Sequence, residues 1–188
     1  QKQGGISGIS TGLIDLDKKL GGLHSSDLLI IAGRPSMGKT SLATNMAFSI
    51  ANSFKSQENE DGSKTLLNGG IVGFFSLEMS SAQLATRILS ENSKVPSDKI
   101  RKGDLSEQDF RNFIEAAQSL DQCPLYIDDT AALSISALAG RARRLKRMYG
   151  LDVLFVDYLQ LIRPSTNRDS RVNEISEITQ GLKSIAKE

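Results

Sequence analysis

The chain has 188 residues, 39% hydrophobic and 24% charged, with a formal net charge of +1. That suits one domain with a sizeable core and gives no net field to draw nucleic acid or a membrane surface, so any such contact must be local. A single cysteine, Cys123, and a single histidine, His24, exclude a disulfide framework, point to a reducing compartment and argue against a zinc site, and no apolar run approaches a membrane span.

Gln1–Gly8 is no signal peptide, and Gly4–Gly12 reads as a Gly/Ser-rich linker, so residues 1–8 are expected to be a linker remnant and 9–188 one domain. Leu13, Leu16 and Leu20 recur at helical spacing until Gly21-Gly22 stops them. Leu28–Ala32 is continuously apolar and predicts a first strand, buried on both faces. A helix follows with Leu42, Met46, Ala47 and Ile50 on one stripe. From Ser53 to Gly69 the composition turns polar, which predicts an exposed, mobile insertion.

Gly70–Leu77 predicts the second strand, and Ser80 or Ser81 caps a helix carrying Leu84, Ile88 and Leu89. Pro96 to Asp104 reads as connecting loop. Ser106–Asp109 resembles a capping box ahead of Phe110, Phe113, Ile114, Ala117 and Leu120. Pro124–Asp129 is the third expected strand. Ser134 then caps a helix with Ile135, Leu138, Ala142 and Leu145 inward, stopped by Gly150. Val153–Asp157 is the fourth strand, and the polar stretch Arg163–Arg171 leads to an amphipathic helix with Val172, Ile175, Ile178, Leu182 and Ile185. Strands alternating with helices predict an α/β fold, a mostly parallel twisted sheet covered by helices on both faces. The lack of an initiator Met and an end inside a helical run predict a piece of a longer protein.

The chemistry centres on Gly33-Arg34-Pro35-Ser36-Met37-Gly38-Lys39-Thr40, followed by Ser41, which fits the phosphate-binding pattern G-x-x-x-x-G-K-[ST]. Gly33 and Gly38 are expected to admit positive φ and leave the amides open, forming an anion nest at a helix N-terminus. Lys39 would reach the β- and γ-phosphates of a nucleoside triphosphate, and Thr40 would ligate Mg²⁺.

Ligands of open parallel sheets bind beyond the carboxyl ends of the strands, where Glu78 and Asp157 also fall. Asp157 fits a metal-side carboxylate or a strand-end cap; Glu78 fits a general base or a helix-start acid. Asp128 and Asp129 compete for both roles, and spacing does not separate them. Arg141, Arg143, Arg144, Lys146 and Arg147 share one helix and read first as a solvated face, then as a subunit or nucleic-acid contact. Arg163, Arg168 and Arg171 could meet a phosphate backbone, though no aromatic residues interleave to stack bases. His24 reads as a loop histidine.

Taken together, Ile9-Ser10-Thr11-Gly12, Leu16-Asp17, Gly21-Gly22-Leu23, the phosphate loop, Phe75-Ser76-Leu77-Glu78-Met79-Ser80 and Val156-Asp157-Tyr158-Leu159-Gln160-Leu161 resemble the RecA-type motor domain of the DnaB family of bacterial replicative DNA helicases. The resemblance covers nearly the whole chain apart from Ser53–Gly69. It implies a RecA-like P-loop fold, ATP and Mg²⁺ as cofactors, a homohexameric ring, and ATP-driven 5′→3′ translocation on single-stranded DNA that unwinds the fork. It implies primase and a helicase loader as partners, in the cytoplasm at the replisome.

The resemblance also favours Glu78 as catalytic base and Asp157 as the metal-side carboxylate. In the family, a following segment supplies a γ-phosphate sensor, the main DNA-binding loop and an arginine finger, and a preceding collar domain helps assemble the ring; neither lies in residues 1–188. The expectation is a chain that binds ATP·Mg²⁺, hydrolyses it barely and does not unwind. A RecA-fold recombination ATPase and an ATP-switched helicase loader are the alternatives.

Overall fold

The computed structural model describes residues 6–59, 61–162 and 171–188. Arg163, Arg168 and the side chain of Arg171 therefore lie outside the described residues. In chain order the elements are α1 (Ile14–Leu20), α2 (Lys39–Asn52), β1 (Lys55–Glu58), β2 (Lys64–Asn68), β3 (Val72–Ser76), α3 (Ser81–Ser93), α4 (Ser97–Lys102), α5 (Glu107–Gln122), β4 (Leu125–Asp128), α6 (Ile135–Tyr149), β5 (Val153–Asp157), a 3₁₀ turn (Leu159–Leu161) and α7 (Arg171–Lys187).

The main sheet is parallel with order β4-β3-β5, so β3 is central. Every residue of β3 is buried. Because successive side chains of a strand point to opposite faces, this one strand feeds two cores. Val72 and Phe74 pack with Ala47, Ile50 and Ala51 of α2 and Leu84 and Ile88 of α3. Phe75 and Leu77 pack on the other face with Leu138 and Ala142 of α6 and Ile178 and Leu182 of α7. The rings of Phe74 and Phe155 stack at 5.7 Å between β3 and β5. Helices thus cover both faces, as the alternation of elements predicts.

Residues 8–13 are no loose linker. Ile9 pairs with Leu23 in an antiparallel bridge, and Thr11 is fully buried. Asp17, itself buried, accepts from Ser10 Oγ at 2.6 Å, Thr11 N at 2.9 Å and Thr11 Oγ1 at 2.7 Å. Burial alone would push the Asp17 carboxyl up, but these donors outweigh it and hold the group below its ordinary value.

Several expectations are corrected. Leu28–Ala32 forms no strand: among the described residues the sheet ends at β5, and Ile30 is 56% exposed. An apolar run becomes a buried strand only where neighbouring backbone pairs with it, and here only Leu28 packs against a core. The Ser53–Gly69 insertion is exposed, as expected, but carries an antiparallel hairpin, β1–β2, turned at Asp61-Gly62. The stretch from Pro96 to Asp104 contains α4. In α5 the expected stripe is only half-buried: Phe113, Ala117 and Leu120 are partly covered, with Leu120 against the core, while Phe110, 55% exposed, and Ile114 stand open, and α5 packs mainly on α3. Val172 is exposed as well, although Ile178 and Leu182 are core.

Candidate nucleotide-binding site

The loop 33–38 is solvent-exposed and ends where α2 begins. Gly38 is the residue before the helix, with φ of 82°, a conformation a side chain disfavours. Gly33 does not share that reason: it lies outside the left-handed region, and a Cβ there would make only ordinary contacts, the nearest with Lys39 Cγ at 3.6 Å. The second left-handed residue is Ser36, at φ of 63°, which the sequence pattern does not single out.

No side chain caps the α2 N-terminus, and its first turn holds no acidic residue. The amides of that turn have no acceptor within the helix, and the dipole adds positive potential, so an exposed anion-binding end results. Lys39 begins the helix and folds back, donating from Nζ to Gly33 O at 2.9 Å and Arg34 O at 3.1 Å. Its ammonium therefore lies over the loop. Thr40, the next residue, donates from Oγ1 to Asp157 Oδ2 at 2.8 Å across 117 residues of sequence. Asp157 closes β5 and is buried.

Glu78 lies two residues beyond Ser76, which pairs with Asp157 in the β3–β5 register. Leu77 N donates to Asp157 O at 2.8 Å, so the chain leaving β3 is fastened beside the loop. Glu78 itself is exposed. The structure thus brings Lys39, Thr40, Asp157 and the Glu78 segment to one end of the sheet.

Asp128 and Asp129 separate from these roles. Asp128 accepts from Arg141 Nη1 at 2.7 Å and from Thr130 N at 3.0 Å. Burial raises its pKa, but the Thr130 and Arg141 donors prevail and lower it. Asp129 Oδ2 accepts from Ser81 N at 2.7 Å. Both carboxylates are committed to protein donors, pairings that join residues 13 and 48 apart in sequence and that no local pattern announces. The basic face of α6 is partly committed too: besides Arg141, Arg143 forms a two-pronged pair with Glu188 at 2.6 Å.

Among the described residues no group of three or more His, Cys, Asp or Glu side chains is placed to hold a metal alone. A hydroxyl and one carboxylate at a phosphate loop fit Mg²⁺, which keeps water ligands and shares phosphate oxygens, rather than zinc or a calcium cage.

A twisted parallel sheet with helices on both faces and this loop at its carboxyl end define a P-loop α/β domain of the RecA-like class. Residues 8–188 match the family described as "DnaB-like helicase C terminal domain", and the chain belongs to that family. It is 54% identical over 183 residues to the replicative DNA helicase DnaB of Rickettsia typhi (strain ATCC VR-144 / Wilmington), covering 97% of this chain and 36% of that protein. It is 39% identical over 188 residues to the replicative DNA helicase DnaC of Bacillus subtilis (strain 168), covering 100% and 38%. The chain therefore spans little more than a third of the length of these relatives. Among solved structures, a DnaB-like replicative helicase, described with its interactions with primase, superposes with a TM-score of 0.84 at 29% identity, over 99% of this chain and 42% of that one. A second solved structure, of an ATPase domain, gives 0.85 at 29% identity, over 99% and 62%.

Proposed function

We propose that this chain is the nucleotide-binding wall of an ATP-driven replicative DNA helicase, working 5′→3′ on single-stranded DNA in a homohexameric ring. The observation that carries the reading is the Thr40–Asp157 hydrogen bond beside an uncapped, acid-free helix N-terminus. It joins the two groups that would hold Mg²⁺ next to the amides that would hold phosphates.

When bound, ATP·Mg²⁺ supplies the phosphoanhydride bond and the charge neutralisation its cleavage needs. The backbone N–H groups of residues 33–41, from Gly33, Arg34, Ser36 and Met37 through Gly38, Lys39, Thr40 and Ser41, would provide the cradle, and Pro35, which has no N–H, would shape the loop without donating. Lys39, whose ammonium now rests on the carbonyls of Gly33 and Arg34, would donate to phosphate oxygens in their place. Thr40 Oγ1 and the Asp157 carboxylate, now bonded to each other, are the groups that would hold the cation. Glu78, exposed and close to Asp157 in register, orients and deprotonates the attacking water. Residues contributed by a neighbouring subunit complete the site and convert its occupancy into movement along DNA.

The relatives' names support a helicase over a recombination ATPase or a loader. Contact with primase, a helicase loader and forked DNA, and a cytoplasmic replisome setting, belong to the same proposal. No helix among the described residues is long and apolar enough to cross a membrane. The test is unwinding of a forked duplex by the full-length protein, alongside its hydrodynamic size. Ring-sized protein that opens forks only when they carry a 5′ tail supports the reading; strand exchange without unwinding overturns it.

A further inference from the structure

Glu78 sits in a short connection, residues 77–80, between β3 and α3, and it is exposed. A base in such a connection is only as well aimed as the backbone carrying it. Besides the first helical bond of α3, from Leu84 N to Ser80 O, four hydrogen bonds fix that backbone. Leu77 N donates to Asp157 O at 2.8 Å, and Ser76 Oγ donates to Met79 O at 2.7 Å. Ser80 N donates to Gln83 Oε1 at 3.0 Å, and Ser81 N donates to Asp129 Oδ2 at 2.7 Å. Of these, only the first and last reach beyond the β3–α3 segment, to β5 and to the residue after β4, and only the last uses a charged side chain.

The Asp129 contact is not needed to start α3. Ser80 and Gln83 already form a complete capping box. Asp129 instead ties the first residue of α3 to the carboxyl end of β4, and its own turn is held in place. Thr130 N donates to Asp128 Oδ1 at 3.0 Å, while Arg141 of α6 donates to Asp128 Oδ2 at 2.7 Å and to Thr130 Oγ1 at 2.8 Å. The path runs from α6 through the 128–130 turn to Ser81 and so to the downstream end of the Glu78 connection.

We propose that Asp129 is a positioning residue for Glu78, acting through its carboxylate bond to the Ser81 amide, with Arg141 and Asp128 holding the turn that presents it. The proposal rests on the reading of Glu78 as the general base. A misplacement of about 1 Å at a reacting group costs on the order of 10²-fold in rate. Releasing one end of the connection should therefore lower kcat and leave nucleotide binding alone, since the hydrogen bond of the Asp129 carboxylate goes to α3 and not to the phosphate loop.

The test uses the full-length protein, with ATPase kcat and KM and the affinity for a fluorescent ATP analogue. Asp129→Ala is expected to lower kcat by about 10- to 100-fold, with KM and analogue affinity within about twofold. Asp129→Asn keeps an acceptor for the Ser81 amide and should recover most of the rate. Ser81→Pro removes the donor at a helix position that tolerates proline, and Ser80, at φ −67° and ψ 156°, already has the extended shape a following proline demands. It should reproduce the Asp129→Ala loss, and the double variant should be no worse than either single one. Wild-type kcat in both Asp129→Ala and Ser81→Pro overturns the proposal, as does a parallel loss of kcat and analogue affinity. Glu78→Gln separates the two claims: if it stops turnover while the Asp129 and Ser81 variants do not slow it, positioning by Asp129 fails and the base assignment stands. If Glu78→Gln turns over normally, the base assignment itself fails.

Discussion

Replacing Asp17 with alanine removes the acceptor of three hydrogen bonds, from Ser10 Oγ, Thr11 N and Thr11 Oγ1. Thr11 is fully buried, so its amide and hydroxyl would be stranded without water. Hydrogen bonds to a charged acceptor contribute about 1.5–3 kcal/mol each, and a stranded buried donor costs about 1–3 kcal/mol. These terms overlap, since the Ser10 hydroxyl can turn elsewhere, so a loss of roughly 3–5 kcal/mol at neutral pH is expected. For a domain of this size each kcal/mol moves Tm by about 2–4 °C, giving a drop on the order of 10 °C by calorimetry or circular dichroism.

The pH dependence follows from the direction of the Asp17 shift. Its folded pKa lies below the ordinary value of 3.8, so the carboxylate contributes its stabilisation above that value and loses it as pH falls through the folded pKa. The gap between wild type and variant should therefore close in acid, below about pH 4. A variant within 1 °C of wild type at pH 7, or a gap unchanged down to the acid limit of folding, would refute the reasoning.

Gly69→Ala should destabilise the fold by at least about 2 kcal/mol by the same melting assay, since an ordinary residue is strained in the left-handed region. Gly69 has φ of 61°, and its added Cβ would lie 2.4 Å from Ile50 O and 2.5 Å from Phe54 N, both backbone atoms. Glu78→Gln in the full-length protein should bind the ATP analogue normally and hydrolyse ATP at least about 100-fold more slowly in a steady-state assay. The 188-residue chain on its own should bind ATP·Mg²⁺ yet turn it over slowly, because an arginine supplied in trans contributes about 10³–10⁵ in related nucleotide hydrolases. DNA-stimulated turnover by the chain close to the full-length rate would contradict that.

Much of this was legible in residue order because the relevant signals are local. Phe74 and Phe75 sit side by side and face opposite cores, so a continuous apolar run correctly announces a strand covered on both sides. The phosphate loop, the Ser106 capping box and the left-handed Gly38 are short-range geometry as well, whereas Ser80 and Ser81 both fit the cap of α3 by sequence and the structure selects Ser80. What residue order hides is partnership. Leu28–Ala32 has the same apolar character as β3, but burial depends on what pairs with it, and Ile30 stands open. The hairpin β1–β2 pairs mostly polar residues, and its two leucines, Leu66 and Leu67, are adjacent and exposed, so it carries no alternating apolar signal. At the site, Asp128, Asp129 and Asp157 look alike as strand-end acids. Only the fold gives the first to Arg141, the second to Ser81 and the third to Thr40.

The assignment of Asp157 and Thr40 to one Mg²⁺-dependent nucleotide site is most directly tested by titrating the full-length protein with a fluorescent ATP analogue, with and without Mg²⁺. The variants are Lys39→Ala, Thr40→Ala and Asp157→Asn. Mg²⁺ should tighten binding to the wild-type protein by about tenfold or more, through the hydroxyl and carboxylate ligands it gains. That gain should vanish in Thr40→Ala and Asp157→Asn, and Lys39→Ala should bind weakly in either condition. A full Mg²⁺ gain in both Thr40→Ala and Asp157→Asn would contradict the account.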